Sequence, residues 1–125
     1  GKDYEIKIAA LLCLRCMNNV GIQNMWLIMN ADKCGAFDDV ILSFENADRK
    51  NVTYLIQLKH TMKPSSLKRR ELVIEQGNFY LPKYYDTIKD IKREMDAESS
   101  TKSDLMKHLD RNRNRMVYIL FTTRG

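Results

Sequence analysis

The sequence predicts an α/β/α sandwich around a central mixed sheet, with its elements in the order α-β-β-β-α-α-β. Three patterns predict it. A run of helix-forming residues opens the chain, three short strands follow as an antiparallel meander, and a last strand returns after a helical stretch.

The first helix is expected over residues 3–19. Ile8, Leu11, Leu12 and Arg15 fall at helical spacing, Ala9, Ala10, Leu11 and Leu14 favour the form, and Asn18, Asn19 and Gly21 stop it. Cys13 and Cys16 form a C-x-x-C inside this run of Ala, Leu and Met, which reads as a buried helix. Free cysteine there behaves as a small apolar residue. A zinc site would need Cys34 and His60 as well, and its ligands belong on turns at set spacing rather than within a helix.

Strands are expected over 24–29, with Trp26 and Ile28, and over 37–44 and 52–59. Residues 31–35 form a turn, and the polar stretch 45–51 suits a hairpin connection. Pro64-Ser65-Ser66 breaks the chain. Residues 68–77 and 81–98 read as helices, Pro82 allowing a fresh start, and a further short helix is expected over 103–109. The closing strand, 116–122, sets Val117, Ile119 and Phe121 opposite Tyr118, Leu120 and Thr122. It is apolar on both sides and therefore expected to be covered on both faces.

At 125 residues the chain has room for one domain, 1–125, with one core. It opens on Gly1 and reads as a piece of a longer multidomain protein. The longest apolar run, 8–14, is far short of a membrane span, and the amphipathic, charged amino end does not resemble a signal peptide. Three cysteines, an odd number, argue against a disulfide scaffold and for an intracellular location, cytoplasm or nucleus. The net charge of +5 is uneven. Residues 1–61 balance seven basic against seven acidic side chains, whereas 62–125 hold fourteen against nine. The excess gathers at Lys68-Arg69-Arg70 and at Arg111, Arg113 and Arg115, which suits a polyanionic partner, although solvated loops and helix faces show the same pattern.

The chemistry concentrates in the third strand. Side chains alternate along a strand, so Gln57 and Lys59 share a face, about 7 Å apart, with Leu55 beside them. Tyr54, Ile56 and Leu58 fill the other face. In a hairpin the start of one strand lies beside the end of the next, which brings Asp39 next to Gln57 or Lys59 across a sequence gap of eighteen residues. A carboxylate, an amide oxygen and an ammonium then share one patch. A hard divalent cation wants oxygen ligands, with one or two carboxylates, and a lysine stabilises a developing phosphorane. Taken alone, Gln57 and Lys59 also fit the solvated face of an edge strand, and Asp39 a turn. An apolar strand flank makes the solvated face the poorer fit.

A helix bearing Glu5, then Phe37-Asp38-Asp39-Val40-Ile41, then Gln57-Leu58-Lys59 across a hairpin resembles the PD-(D/E)XK nuclease superfamily. The resemblance spans about residues 1–61, and the late strand suits the family's order. It implies a restriction-endonuclease-like fold and a Mg²⁺- (or Mn²⁺-) dependent endonuclease. Asp39 and Gln57 would be metal ligands, Lys59 the catalytic lysine and Glu5 a further ligand. Phe37-Asp38 stands where the family has its proline, and Gln57 where it more often has an acid. Asp39 is preferred to Asp38 because it directly precedes the apolar run. Glu5 shares a helical face with Ile8, Ala9, Leu12 and Cys16, and a helix-dipole role would explain it equally. Gln76 and Tyr80, four apart, are similar to the Q-x-x-x-Y element of RecB-like exonucleases and would be accessory residues. Lys68, Arg69 and Arg70 are the expected nucleic-acid contacts.

The partners so implied are DNA, double-stranded ahead of other forms, the remaining domains of the polypeptide, and a second copy in a homodimer, with no membrane. Two alternatives stand beside the enzyme. One is a catalytically degenerate nuclease fold that binds nucleic acid or protein, which Gln57 keeps open. The other is an interaction domain without nucleic acid.

Overall fold

A computed structural model of the chain describes residues 2–30, 37, 39–59, 68–73, 79–98, 103–111 and 115–122. The order is α1 (Lys2–Met17), β1 (Gln23–Met29), β2 (Val40–Glu45), β3 (Asn51–Lys59), a 3₁₀ turn (Arg69–Leu72), α2 (Leu81–Asp96), α3 (Asp104–Arg111) and β4 (Arg115–Thr122). The succession of α-helices and strands is the expected α-β-β-β-α-α-β. The exception among the expected helices is 68–77. The described part of 68–77 is a single 3₁₀ turn, in which the Glu71 carboxylate accepts the Lys68 N–H at 2.9 Å.

The four strands form one mixed sheet in the order β1-β2-β3-β4, antiparallel up to β3 and parallel between β3 and β4. The β2–β3 turn is organised by one side chain: the Asn46 Oδ1 accepts the N–H groups of Asp48 and Lys50, both at 3.0 Å. Arg49 takes the left-handed conformation that closes it, with φ 61°.

Strand alternation divides the core into two layers. On one face Val40, Leu42, Phe44, Val52, Ile56 and Leu58 pack against Ala9 and Cys16 of α1. On the other face Ile41 and Leu55 join Tyr84, Ile91 and Met95 of α2 and Met106 and Leu109 of α3. Within that second face Ser43 and Thr53, directly opposite in register, share a buried hydroxyl–hydroxyl bond of 3.0 Å. Helix α2 presents Tyr84, Ile91 and Met95 at helical spacing. Helix α3 starts where Ser103 Oγ accepts the Met106 N–H at 3.2 Å, an ordinary N-cap bond.

Two expectations need correction. Helix α1 is not buried all round: Ile6, Leu11, Leu14 and Met17 are exposed, because the sheet covers only the side carrying Ala9 and Cys16. Strand β4 has layers on both faces, yet residues 116–120 are only half-buried and Phe121 is exposed. It lies at the edge of the described sheet, where no further strand shields it. Among the described residues no helix is long and apolar enough to cross a membrane.

Candidate functional site

The last residue pair of the β2–β3 ladder is Val40 with Ile56. Leu58 lies beyond it, so its N–H has no strand carbonyl from β2 to meet. The Asp39 carboxylate takes that N–H through Oδ2 at 2.8 Å. This explains why β2 begins at Val40 and not at the expected Phe37: the chain leaves the ladder and a side chain replaces the missing backbone partner. The bond also ties Asp39 to the end of β3, one register step from Gln57.

Asp39, Gln57 and Lys59 fall on the face covered by α2 and α3. Asp39 alternates with Ile41, and Gln57 and Lys59 with Leu55, and both apolar residues belong to that layer. Asp39 and Gln57 are each buried, at 8 % exposure, and Lys59 is half-buried. The Gln57 Oε1 has no hydrogen-bond partner and no contact with solvent. An orphaned buried acceptor costs about 1–3 kcal/mol, so a group in this state calls for a reason.

The start of α2 closes the patch from the side. Tyr84 packs in the same layer, its ring 5.4 Å from that of Phe37, and Lys83 Nζ lies 5.0 Å from the Tyr84 ring centre. Burial, with the Asp39 charge adding to it, pushes the Tyr84 hydroxyl up to about 12. Burial, with the Lys59 charge adding to it, pulls Lys83 below the ordinary lysine range. Tyr84 therefore lies within reach of the Asp39 charge, and Lys83 within reach of the Lys59 charge. Helix α2 enters here through Tyr80 in extended backbone, with no side-chain cap and Pro82 in its first turn.

Neither Lys83 nor Tyr84 was expected from the sequence. The only signal was Pro82, which fixed where the helix starts but not what it starts over.

Glu5 is half-buried in the first turn of α1. Ala9 packs near Leu58 and Cys16 near Val52, so the start of α1 lies towards the Asp39 end of the hairpin. It does so on the face opposite to Asp39, Gln57 and Lys59. Lys68, Arg69 and Arg70 are exposed on the 3₁₀ turn. Tyr80 stands in extended backbone before α2, so the helical spacing expected of the pair with Gln76 does not extend to it. Gln76, Asp38, Cys34 and His60 lie outside the described residues.

Cys16 is buried and Cys13 half-buried, both as free thiols, and burial, with Cys13 adding to it, pushes the Cys16 thiol up. That is the behaviour of apolar helix residues. Among the described residues no three His, Cys, Asp or Glu side chains cluster as a metal site. Comparison of the chain with protein-family profiles, with curated proteins and with solved structures gave no match in any of the three.

Proposed function

We propose that this chain is a restriction-endonuclease-like nuclease domain of PD-(D/E)XK type, hydrolysing phosphodiester bonds of DNA with Mg²⁺ or Mn²⁺. The observation that carries the reading is the Gln57 amide oxygen, buried without a partner on the strand face that also carries Lys59. An acceptor held dry beside a carboxylate fits an oxygen-ligating divalent cation. The donor set suits Mg²⁺, which commonly takes one or two protein oxygens and leaves other positions to water and phosphate. When bound, the cation supplies Lewis-acid polarisation of the phosphate.

The protein's own residues do the rest. Asp39 is fixed by the Leu58 N–H, so the remainder of its carboxylate points with little freedom. Gln57 offers a neutral oxygen on a rigid strand. Lys59, half-buried on the same strand face, sets a positive charge where the reacting phosphate gains negative charge. DNA is preferred as substrate because of the basic second half of the chain, and the domain would act within a larger polypeptide inside the cell.

The test is incubation of the protein with plasmid and Mg²⁺ or Mn²⁺, with Lys59→Ala as control. Cleavage by the parent that falls about 10²-fold or more in the variant supports the reading. A parent that leaves plasmid intact with either metal removes it.

One observation favours a second reading, a fold that has kept binding and lost catalysis. Among the described residues Asp39 is the one carboxylate assigned to this end of the hairpin, because position 57 carries an amide. Salt-sensitive DNA binding without cleavage, the same with and without Mg²⁺, would select it.

A further inference from the structure

Helix α1 covers the middle of its sheet face and leaves the β4 side open. Its Ala9 packs with Val40, Ile56 and Leu58, and its Cys16 with Leu42, Phe44 and Val52, which sets it over β2 and β3. A helix is about 10 Å across, whereas four strands about 4.8 Å apart span about 14 Å between the outer axes. One helix therefore leaves part of this face bare, and the opposite face carries two, α2 and α3. Beside α1, Val117 and Ile119 of β4 are half-buried and Phe121 is exposed.

Two cavities, of about 290 Å³ and about 280 Å³, occupy the gap between α1 and β4. Leu12, Arg15, Ile56 and Ile119 line both, so the cavities are two halves of one groove. It runs beside α1 from Ile8, at the end with Leu58 and Phe121, to Cys16, at the end with Leu42 and Phe44. At the helical rise that is about 12 Å, more than two turns. Among the described residues Arg15 is the one charged side chain that lines either cavity, and it has no ion pair with any of them. Because it lines both halves, its charge stands in the middle of the groove with apolar wall on either side.

That placement selects the occupant. A fatty acid carries its charge at one end of an apolar chain. A charge in the middle, flanked by apolar contacts, suits an amphipathic helix with one acid inside its apolar stripe. The uncovered width beside α1 also suits a helix.

We propose that the groove between α1 and β4 is a docking site for an amphipathic α-helix of a partner protein, whose apolar stripe packs on Leu12, Ile56 and Ile119 and whose central carboxylate pairs with Arg15. The docked helix completes the layer that α1 begins. The groove lies on the face opposite Asp39, Gln57 and Lys59, so this inference stands apart from the nuclease reading.

The probes are fluorescein-labelled synthetic helices of about three turns, each with a leucine stripe interrupted by one glutamate. The set moves the glutamate along the stripe, and a matched set carries lysine instead. Binding to the 125-residue chain is read by anisotropy. At least one glutamate helix should bind the parent, and its lysine counterpart should bind about tenfold more weakly. Arg15→Glu should exchange that preference, which a merely structural role for Arg15 would not do. Phe121→Asp should weaken binding of both helices about tenfold. Arg15 and Phe121 are exposed, so both variants should keep the parent's circular dichroism. A parent that binds none of the helices would overturn the proposal, as would an Arg15→Glu variant that keeps the parent's preference. So would binding of a fluorescent long-chain fatty acid that no helix displaces. Sedimentation of the chain alone as a dimer that Phe121→Asp disperses would also overturn it, since a second copy would then fill the groove.

Discussion

Gln57→Leu separates a functional amide from a structural one by the sign of its effect on stability. The Oε1 of Gln57 is buried without a partner, a state that costs the fold about 1–3 kcal/mol. Leucine has similar volume and no acceptor to strand, and its neighbour on the same strand face, Leu55, is itself in the apolar layer. The variant should therefore be more stable, by about that amount. For a chain of this size about 1 kcal/mol corresponds to roughly 3–5 °C in Tm. In EDTA, Gln57→Leu should melt higher than the parent by circular dichroism.

Saturating Mg²⁺ should then reverse part of the difference. A ligand at about a hundred times its Kd stabilises the parent by about 2.7 kcal/mol, and the variant should gain far less. Gln57→Glu should do the opposite. It sets a second carboxylate about 5 Å from Asp39, a repulsion of about 3 kcal/mol at an effective dielectric constant of about 20. It should melt lower in EDTA and gain more from Mg²⁺. A Gln57→Leu variant that melts below the parent in EDTA would refute the reasoning, since the amide would then be contributing bonds to the fold. Equal Mg²⁺ shifts in parent and variant would move the metal elsewhere.

Three further outcomes follow from the same structure. Reversing Lys68, Arg69 and Arg70 together should weaken DNA binding and flatten its salt dependence by about three phosphate contacts' worth, with single-turnover cleavage retained; unchanged affinity in a filter-binding titration would put the DNA surface elsewhere. Met106→Ala, at a fully buried position between α3 and the sheet, should cost about 2–5 kcal/mol in urea unfolding, and a loss under about 1 kcal/mol would contradict the packing. Tyr84 is raised from the usual 10.0 to about 12, so the neutral form is favoured in the folded state. The stability this contributes is complete below pH 10 and is lost as pH rises towards about 12, and Tyr84→Phe should show a shallower alkaline decline in Tm.

Much of this was legible in the sequence because it depends on short-range alternation. Period two along 52–59 placed Gln57 and Lys59 with Leu55, and the polar 45–51 connection was enough to fold β2 back upon β3. The same patterns gave α1, β4 and the start of α2 at Leu81, with Pro82 in its first turn. What the sequence did not reveal depends on long-range geometry. The start of β2 shifted to Val40 because a side chain, Asp39, took the Leu58 N–H, and periodicity cannot register such a substitution. The helix expected over 68–77 is, in its described part, one 3₁₀ turn. Lys83 and Tyr84 lie far along the chain from Lys59 and Asp39 and come near them only through the docking of α2, which no spacing rule encodes. The apolar run of α1 suggested burial all round, but run length does not state how many faces the sheet can cover.

The composition of the patch has a consequence for how its ligands would bind. Asp39 brings one negative charge, Gln57 none, and Lys59 and Lys83 two positive charges. Such a site is poor in charge for Mg²⁺ alone and rich in charge for a phosphate alone. On the nuclease reading each ligand would supply what the other lacks: phosphate oxygens would complete a divalent cation that two protein oxygens hold weakly, and the cation would offset the repulsion between phosphate and Asp39. The apolar layer of Ile41, Leu55, Ile91 and Met106 on the same sheet face would strengthen both effects by lowering the local dielectric. By linkage, whatever factor DNA contributes to metal affinity the metal must contribute to DNA affinity. An acid at position 57 would weaken that coupling by letting the metal bind without substrate. On the nuclease reading the amide would make metal loading depend on DNA and would restrict a catalytically complete site to the moment a strand lies across it.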